Sequence, residues 1–241
     1  MTNLQDSVKS SLMIIAIDGP SGAGKSTLGK MLAKKIGLLY LDTGAMYRAV
    51  ALSAIRKGMD LTDTVAVAEA AKNAEIELKG EVDAMRVVLD GDDVSDDIRT
   101  LEIAQAASVV SIISDVRRTM VDLQRKLGEQ SEKGCVLEGR DIGSVVFPNA
   151  DIKFFLTAKP EARARRRFEE DKAKGRVSTY EQTLAEINER DERDVARVDS
   201  PLTIAEDAVV IDTSELDLSE VFEQMVAKIG ELKANAASDQ R

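Results

Sequence analysis

The sequence predicts a three-layer α/β fold in which helices cover both faces of a central parallel sheet. Short apolar runs of the length of a buried strand alternate with stretches whose apolar residues recur at helical spacing. Three of the predicted strands end at glycine-containing, charged segments that include Gly19, Asp42 and Glu138. Because ligands gather beyond the carboxyl ends of parallel strands, we expect these three segments to form one site.

The first two strand–helix units occupy residues 12–57. The apolar run 12–17 predicts a buried strand, and a glycine-rich loop follows it. Helical spacing then continues until Gly37, a residue type that commonly ends helices. A second strand is predicted over 38–41 and a second helix over about 45–57.

Residues 60–100 differ from the segments around them, because they are acidic and contain short β-type runs. Ile76, Leu78 and residues 87–89 predict strands, and Asp90-Gly91 predicts a turn. We interpret this stretch as a small β-rich insert within the main domain.

The second half of the chain returns to alternating strands and helices. An apolar helical stripe runs from Ile103 to Leu127, and Ser114-Asp115 in its middle forms an N-cap pair that predicts two helices. Further strands are predicted over 136–137, 152–156 and 209–211, with an arginine-rich helical region at about 160–197 and a closing helix that contains Val221, Met225 and Ile229.

Composition narrows the range of functions. The formal net charge of −10 disfavours a nucleic-acid polymer as partner. The chain has no His, which excludes His acid–base catalysis and His metal sites, and Cys135 is its only cysteine. A buried apolar role is expected for Cys135. Neither a signal peptide nor a membrane span is visible, so we expect a cytoplasmic protein without membrane attachment.

Residues 19–26 match the phosphate-loop pattern G-x-x-x-x-G-K-[ST]. Its glycines let backbone N–H groups converge on phosphate oxygens, and the following helix directs its N-terminal dipole at the same anion. Lys25 is predicted to reach the β- and γ-phosphates of ATP, and Ser26 to ligate Mg²⁺. The alternative is a glycine turn that binds nothing. The predicted ATP-binding residues are Gly19, Pro20, Ser21, Gly22, Ala23, Gly24, Lys25, Ser26 and Thr27.

Other motifs separate this chain from several P-loop classes. No lysine is followed two residues later by Asp, so the guanine motif of Ras-type GTPases is absent. Motor ATPases usually end a strand in paired acids, whereas here Glu138 is followed by Arg140, which places an arginine where an anion could lie. These features favour a small P-loop kinase.

Two arginine clusters flank residues 174–176. Helical spacing places Arg163, Arg166 and Arg167 on one face, and Arg190, Arg193 and Arg197 on another. Such faces could be the arms of a lid that supplies positive charge during phosphoryl transfer. The alternative is surface ion pairing with the acids nearby, which are Glu169, Glu170, Asp171, Glu189, Asp191 and Glu192.

Four segments of the chain resemble the signature segments of bacterial cytidylate kinases, a family of P-loop nucleoside monophosphate kinases. They are residues 17–26, 41–48, 138–143 and 189–194, and residues 93–100 also resemble the nucleotide-binding insert of that family. The resemblance implies a P-loop NTPase-type fold with an NMP-binding insert at about 60–100 and a lid at about 163–197. It makes residues 12–232 one kinase domain, with a flexible extension at 1–11 and a frayed tail at 233–241.

The same resemblance implies transfer of the γ-phosphoryl group of ATP, with Mg²⁺, to CMP or dCMP. Thr43, Arg48 and Arg140 would hold the acceptor phosphate, and Ser108, Arg117 and Asp141 would read the cytosine edge. Arg190 and Asp194 would face the ribose, while Arg197 would reach phosphate. The implied catalytic residues are Lys25, Arg166, Arg167 and Arg197.

Two other functions remain open from the residues alone. One is another small-molecule P-loop kinase of the shikimate type, whose acceptor would not need Ser108, Arg117 and Asp141. The other is a nucleotide-dependent regulatory or scaffold protein, which would bind ATP without acceptor-stimulated release of ADP. No second apolar face is left over, so a monomer is expected.

Overall fold

The computed structural model describes residues 12–238, with side chains through residue 234, so the predicted extension 1–11 lies outside the described residues. The strands are β1 (Met13–Asp18), β2 (Leu39–Asp42), β3 (Ile76–Lys79), β4 (Arg86–Leu89), β5 (Asp92–Asp93), β6 (Gly134–Gly139), β7 (Ile152–Thr157) and β8 (Val209–Asp212). The helices are α1 (Lys25–Ile36), α2 (Thr43–Arg56), α3 (Thr64–Asn73), α4 (Leu101–Val110), α5 (Ser114–Glu129), α6 (Pro160–Ala173), α7 (Tyr180–Val195) and α8 (Leu218–Ser238).

Five strands form the central sheet, in the order β2-β6-β1-β7-β8. Every pairing in that sheet is parallel, which confirms the predicted α/β class. Ile15 and Ile17 of β1 pack with α1 and α8 on one face, while Ala16 joins a cluster that includes Val121 of α5 on the other. Alternate residues of β1 therefore support both outer layers.

The carboxyl ends of β1, β2 and β6 lie at the same edge of the sheet, as predicted. In the register of the parallel strands, Asp18 pairs with Gly139 and Asp42 with Glu138. The carboxylate of Asp18 accepts hydrogen bonds from the backbone N–H groups of Ile142, at 2.8 Å, and Gly143, at 2.7 Å. Asp18 thus ties the segment after β6 to the end of β1, and burial raises its pKa to about 6.

The insert forms a separate three-stranded antiparallel sheet, β3-β4-β5. β3 and β4 were predicted, but neither β5 nor α3, which precedes the sheet, was. The buried face of α3 consists of Val67, Ala70 and Ala71, and two alanines give only a weak apolar signal. Asp63 caps the helix by accepting from the N–H of Ala66 at 3.0 Å. Residues 60–100 are therefore mixed α/β rather than purely β-rich.

Two further predictions about helix ends need correction. The stripe after Ile103 does divide into α4 and α5, but Ile113 occupies the N-cap position and Ser114 already belongs to the helix. α8 continues to Ser238, into the stretch 233–241 that was predicted to fray. No helix among residues 12–238 is long and apolar enough to cross a membrane.

Candidate active site

The phosphate loop connects β1 to the N-terminus of α1. Gly22 and Gly24 have φ values of 80° and 90°, in the left-handed region where glycine carries no steric penalty. Gly24 directly precedes α1, so the first free N–H groups of the helix open toward the loop. The loop therefore has the backbone form that an anion site of this type requires.

Lys25 lies at the start of α1 and is only 6% exposed. Its Nζ donates to the carbonyl of Pro20 at 2.7 Å, so the side chain folds back over the loop. Burial, reinforced by the nearby charges of Arg140 and Arg190, lowers the pKa of Lys25 to about 7. A phosphate oxygen beside Nζ would stabilise the charged form of Lys25, which burial disfavours.

Proton uptake should therefore accompany ATP binding. At a pH of about 8, Lys25 is mostly neutral before binding, because its pKa is lowered to about 7. The triphosphate raises that pKa, so binding is expected to take up about one proton. Titration calorimetry in buffers of different ionisation enthalpy measures the number of protons taken up. That number should fall toward zero near a pH of about 6, because Lys25 is then mostly protonated before ATP binds.

The matched control is Lys25→Arg, because an arginine stays charged throughout this range. Uptake should disappear at alkaline pH in that variant. Equal proton uptake by the wild type and Lys25→Arg would contradict the assignment of the proton to Lys25.

The residues beside Ser26 suit a magnesium ion that phosphates help to hold. Ser26 lies beside Glu138 and Tyr40, since it acts to lower the pKa of both groups against the larger effect of burial. Tyr40 in turn donates to Glu138 at 2.5 Å. Among the side chains of residues 12–234, no cluster of three or more His, Cys, Asp or Glu could hold a metal ion. Mg²⁺ commonly uses few protein ligands together with phosphates and water, so this set fits it.

A cleft of about 1100 Å³ extends from the phosphate loop between α2, α6 and α7. Basic side chains in its lining outnumber acidic ones, although the whole chain carries a net charge of −10. The arginines that line it are Arg48, Arg99, Arg117, Arg140, Arg166, Arg167, Arg176, Arg190 and Arg197. Such a concentration of guanidinium groups suits a ligand rich in phosphate.

Three arginines of α6 have three different sets of partners. Arg163 is buried; it forms an ion pair with Asp191 of α7 at 2.6 Å and donates to the carbonyl of Ser21 at 3.1 Å. Arg166 donates to the hydroxyl of Thr213 at 3.0 Å, and Arg167 contacts Asp171 at 3.2 Å. Arg163 therefore anchors the phosphate loop to α7, whereas Arg166 and Arg167 line the cleft.

The wall opposite the loop contains the predicted phosphate-binding residues. Thr43 donates to the backbone carbonyl of Glu138 at 2.7 Å, and Asp42 caps α2. Asp42 also pairs with Arg48 at 2.8 Å. Arg190 lines the cleft; burial, followed by the charge of Arg140, lowers its pKa to about 10. In the described part of the chain its Nε has no hydrogen-bond partner.

The predicted base-reading residues are only partly brought together. Arg117 and Asp141 both line the cleft, where they form a buried ion pair with each other. Ser108 does not line it, and its hydroxyl accepts from Arg193 at 2.8 Å. Ser111, one helical turn later, does line the cleft and accepts from Arg197 at 3.1 Å.

Asp194 lies behind the wall of the cleft, where it binds two of the predicted arginines. It pairs with Arg140 at 2.7 Å and also with Arg197. These contacts, with the burial that opposes them, leave the pKa of Asp194 below its usual value. The roles of Ser108 and Asp194 toward a ligand stay predictions.

Several residues that position this site were not among the site residues predicted from the sequence. They are Glu138, Ser111, Asp191 and Thr213, which contact Ser26, Arg197, Arg163 and Arg166 respectively. Only Glu138 carried a local signal, since it ends a buried strand beside the glycine loop. The others depend on contacts between distant parts of the chain.

Comparison with known proteins identifies the family. The cytidylate kinase family model matches residues 15–231. A cytidylate kinase from Caldanaerobacter subterraneus subsp. tengcongensis is 52% identical over 215 residues, which cover 89% of this chain and 93% of the relative. One from Geobacter sp. (strain M21) is 48% identical over 224 residues, which cover 93% and 95%.

Among solved structures, an uncharacterized protein from Eubacterium ventriosum ATCC 27560 superposes with a TM-score of 0.51 at 14% sequence identity. The match covers 90% of this chain and 98% of that one, and it supports the fold alone. The family model, by contrast, spans the phosphate loop, the insert and both arginine-bearing helices, and the two sequence relatives each cover about nine-tenths of the chain. The chain belongs to the cytidylate kinase family.

Proposed function

We propose that this protein transfers the γ-phosphoryl group of ATP, with Mg²⁺, to CMP or dCMP. One observation carries the proposal: the phosphate loop and the buried Arg117–Asp141 pair open onto the same arginine-lined cleft. A triphosphate site and a site with base-reading groups thus lie within reach of one another. The curated relatives bear the name cytidylate kinase, which supports the same acceptor.

In this proposal, the donor side of the cleft is formed by residues 19–27 and by the cations that face them. Backbone N–H groups of the loop bind the β- and γ-phosphates, and Lys25 moves from the Pro20 carbonyl to a phosphate oxygen. Ser26 and Glu138 would hold Mg²⁺, which neutralises phosphate charge when it is bound. Arg166 and Arg167, which line the cleft, stabilise the transferring group.

The acceptor side binds a nucleoside monophosphate. Arg48, Arg140 and Arg197 provide guanidinium forks for its phosphate, and Arg190, beside them in the wall, faces the ribose. The Asp141 carboxylate accepts from the exocyclic amine of cytosine, while Arg117 donates to its ring acceptors. No general base is needed, because the acceptor phosphate is already ionised at neutral pH. We retain a monomeric, cytoplasmic protein as a prediction.

ADP release measured with CMP, dCMP, UMP, AMP, GMP and shikimate separates this function from the alternatives. We expect CMP and dCMP to stimulate release most strongly. Preference for shikimate would instead indicate a shikimate-type kinase. ATP binding without stimulation by any acceptor would indicate a regulatory protein and would contradict the proposal.

Asp141→Asn should relax the choice of base. Asparagine keeps the shape of the side chain, but its amide can also donate to the O4 atom of uracil. The ratio of kcat/KM for CMP to that for UMP is expected to fall about tenfold, as for loss of one base-specific contact. Steady-state kinetics with each acceptor at saturating ATP measures the ratio. An equal loss with both acceptors would show that Asp141 does not read the base.

A further inference from the structure

Two residues that line the cleft, Arg117 and Tyr47, begin a row of buried polar side chains that continues into the interior. The guanidinium carbon of Arg117 lies 5.4 Å from the centroid of the Tyr47 ring. Beyond Tyr47 lies Gln124, which is 1% exposed and follows Arg117 by about two turns of α5. Residues spaced in this way share one helix face, so α5 presents both ends of the row to α2.

The hydroxyl of Tyr47 and the Oε1 atom of Gln124 are both buried, and neither has a hydrogen-bond partner of standard geometry among residues 12–234. The two groups are nevertheless neighbours, since Gln124 acts to lower the pKa of Tyr47 against the larger effect of burial. Unpartnered buried polar atoms are costly, and a leucine or phenylalanine here would avoid that cost. This row therefore calls for a role beyond packing.

Arg117 depends on this row for its orientation. Its side chain is buried, with one amino group bound to Asp141 and the other donating to the carbonyl of Ser111 at 3.0 Å. Its Nε has no hydrogen-bond partner within the described residues, and the ring of Tyr47 lies against the guanidinium face. A cation held over an aromatic face at this separation gains energy chiefly when it is desolvated, as Arg117 is.

We propose that Tyr47 and Gln124 are positioning residues that determine which base the acceptor site accepts. The ring of Tyr47 fixes the plane of the Arg117 guanidinium, and Gln124 in turn restrains the hydroxyl end of Tyr47. Arg117 and Asp141 can then meet the cytosine edge together. This inference rests on the proposed function, since it names the residues that set its choice of acceptor.

Three variants separate the contributions of the ring, the hydroxyl and the amide. Tyr47→Leu removes the ring, Tyr47→Phe removes only the hydroxyl, and Gln124→Met removes the amide at similar volume. Ser53→Ala is the matched control, because Ser53 is another buried, unpartnered hydroxyl on α2 that does not line the cleft. Dissociation constants for CMP and UMP and steady-state kcat and KM are measured for each.

Tyr47→Leu is expected to lower the preference for CMP over UMP about tenfold, through a weaker affinity for CMP, while KM for ATP stays unchanged. Tyr47→Phe and Gln124→Met should each lower the preference for CMP over UMP by about threefold, the effect of one weak buried hydrogen bond. Ser53→Ala should leave the preference unchanged.

Equal weakening of CMP and UMP binding, or an unchanged preference in all three variants, would overturn the inference. Should Tyr47→Leu fail to fold, as judged by thermal unfolding, the Tyr47→Phe and Gln124→Met variants decide the matter. If the proposed function itself were wrong, no nucleoside monophosphate would stimulate ADP release by the wild-type protein.

Discussion

Replacing Lys25 with methionine is expected to lower kcat/KM for ATP by about three orders of magnitude, the usual effect of removing a group that stabilises transition-state charge. Lys25 is the buried cation of the phosphate loop, and its Nζ is held by a backbone carbonyl rather than by an acid. Methionine fills similar space without charge. Because burial already disfavours the charge of Lys25, the thermal unfolding midpoint should stay the same or rise.

Lys34→Met provides the matched control for this prediction. Lys34 lies on the same helix, but its side chain is 67% exposed and pairs with Asp83 on the insert. Its replacement should change kcat/KM by less than about twofold, since exposed ion pairs contribute little. Comparable losses in Lys25→Met and Lys34→Met would mean that general charge on α1, and not the position of Lys25, supports the reaction.

Gly19→Ala is expected to abolish folding, or to lower the free energy of unfolding by more than about 4 kcal/mol. A Cβ atom at Gly19 would lie 2.0 Å from the carbonyl oxygen of Leu156 in β7, well inside van der Waals contact. The φ of Gly19, 142°, is also one that side chains rarely adopt. Gly19 directly follows β1, which pairs with β7 in the central sheet. Neither segment can therefore move aside without breaking parallel pairs.

Two other glycines separate the steric clash from simple backbone effects. Gly24→Ala meets only side-chain atoms at 3.5 Å but has a φ of 90°, so it should cost about 1–2 kcal/mol. Gly230→Ala lies in open space within α8 and should stabilise the protein by up to about 1 kcal/mol. Chemical denaturation of all three variants measures the series. Similar stability for Gly19→Ala and Gly24→Ala would contradict the clash with β7.

Local patterns predicted most of the secondary structure correctly. Apolar runs predicted all five strands of the central sheet, and Gly37 ends α1 in the left-handed conformation, as expected. The missed helix α3 shows where this reasoning is weakest. Alanine supplies helix propensity but little apolar contrast, so a helix with two alanines on its buried face has no clear period.

Side-chain partners were harder to predict than elements. The first arginine cluster was expected to share one face toward ATP, but Arg163 turns inward to Ser21 and Asp191. The surface-pairing alternative holds in part, since Arg167 contacts Asp171 and Arg193 contacts Glu189. Helical spacing gives the angle between two side chains about the axis, but it does not say which neighbour each will meet.

By itself, the sequence determined the strands of the central sheet with the helices that alternate with them, the phosphate loop and the edge of the sheet at which the site lies. Each of these follows from residues that are close together in the chain, where backbone geometry and apolar period act directly. Only the tertiary structure decided that Ser111 rather than Ser108 lines the cleft, that Arg163 anchors the loop to α7, and that Tyr47 lies against Arg117. Those contacts join segments far apart in sequence, and packing selects them from several partners of equal chemistry.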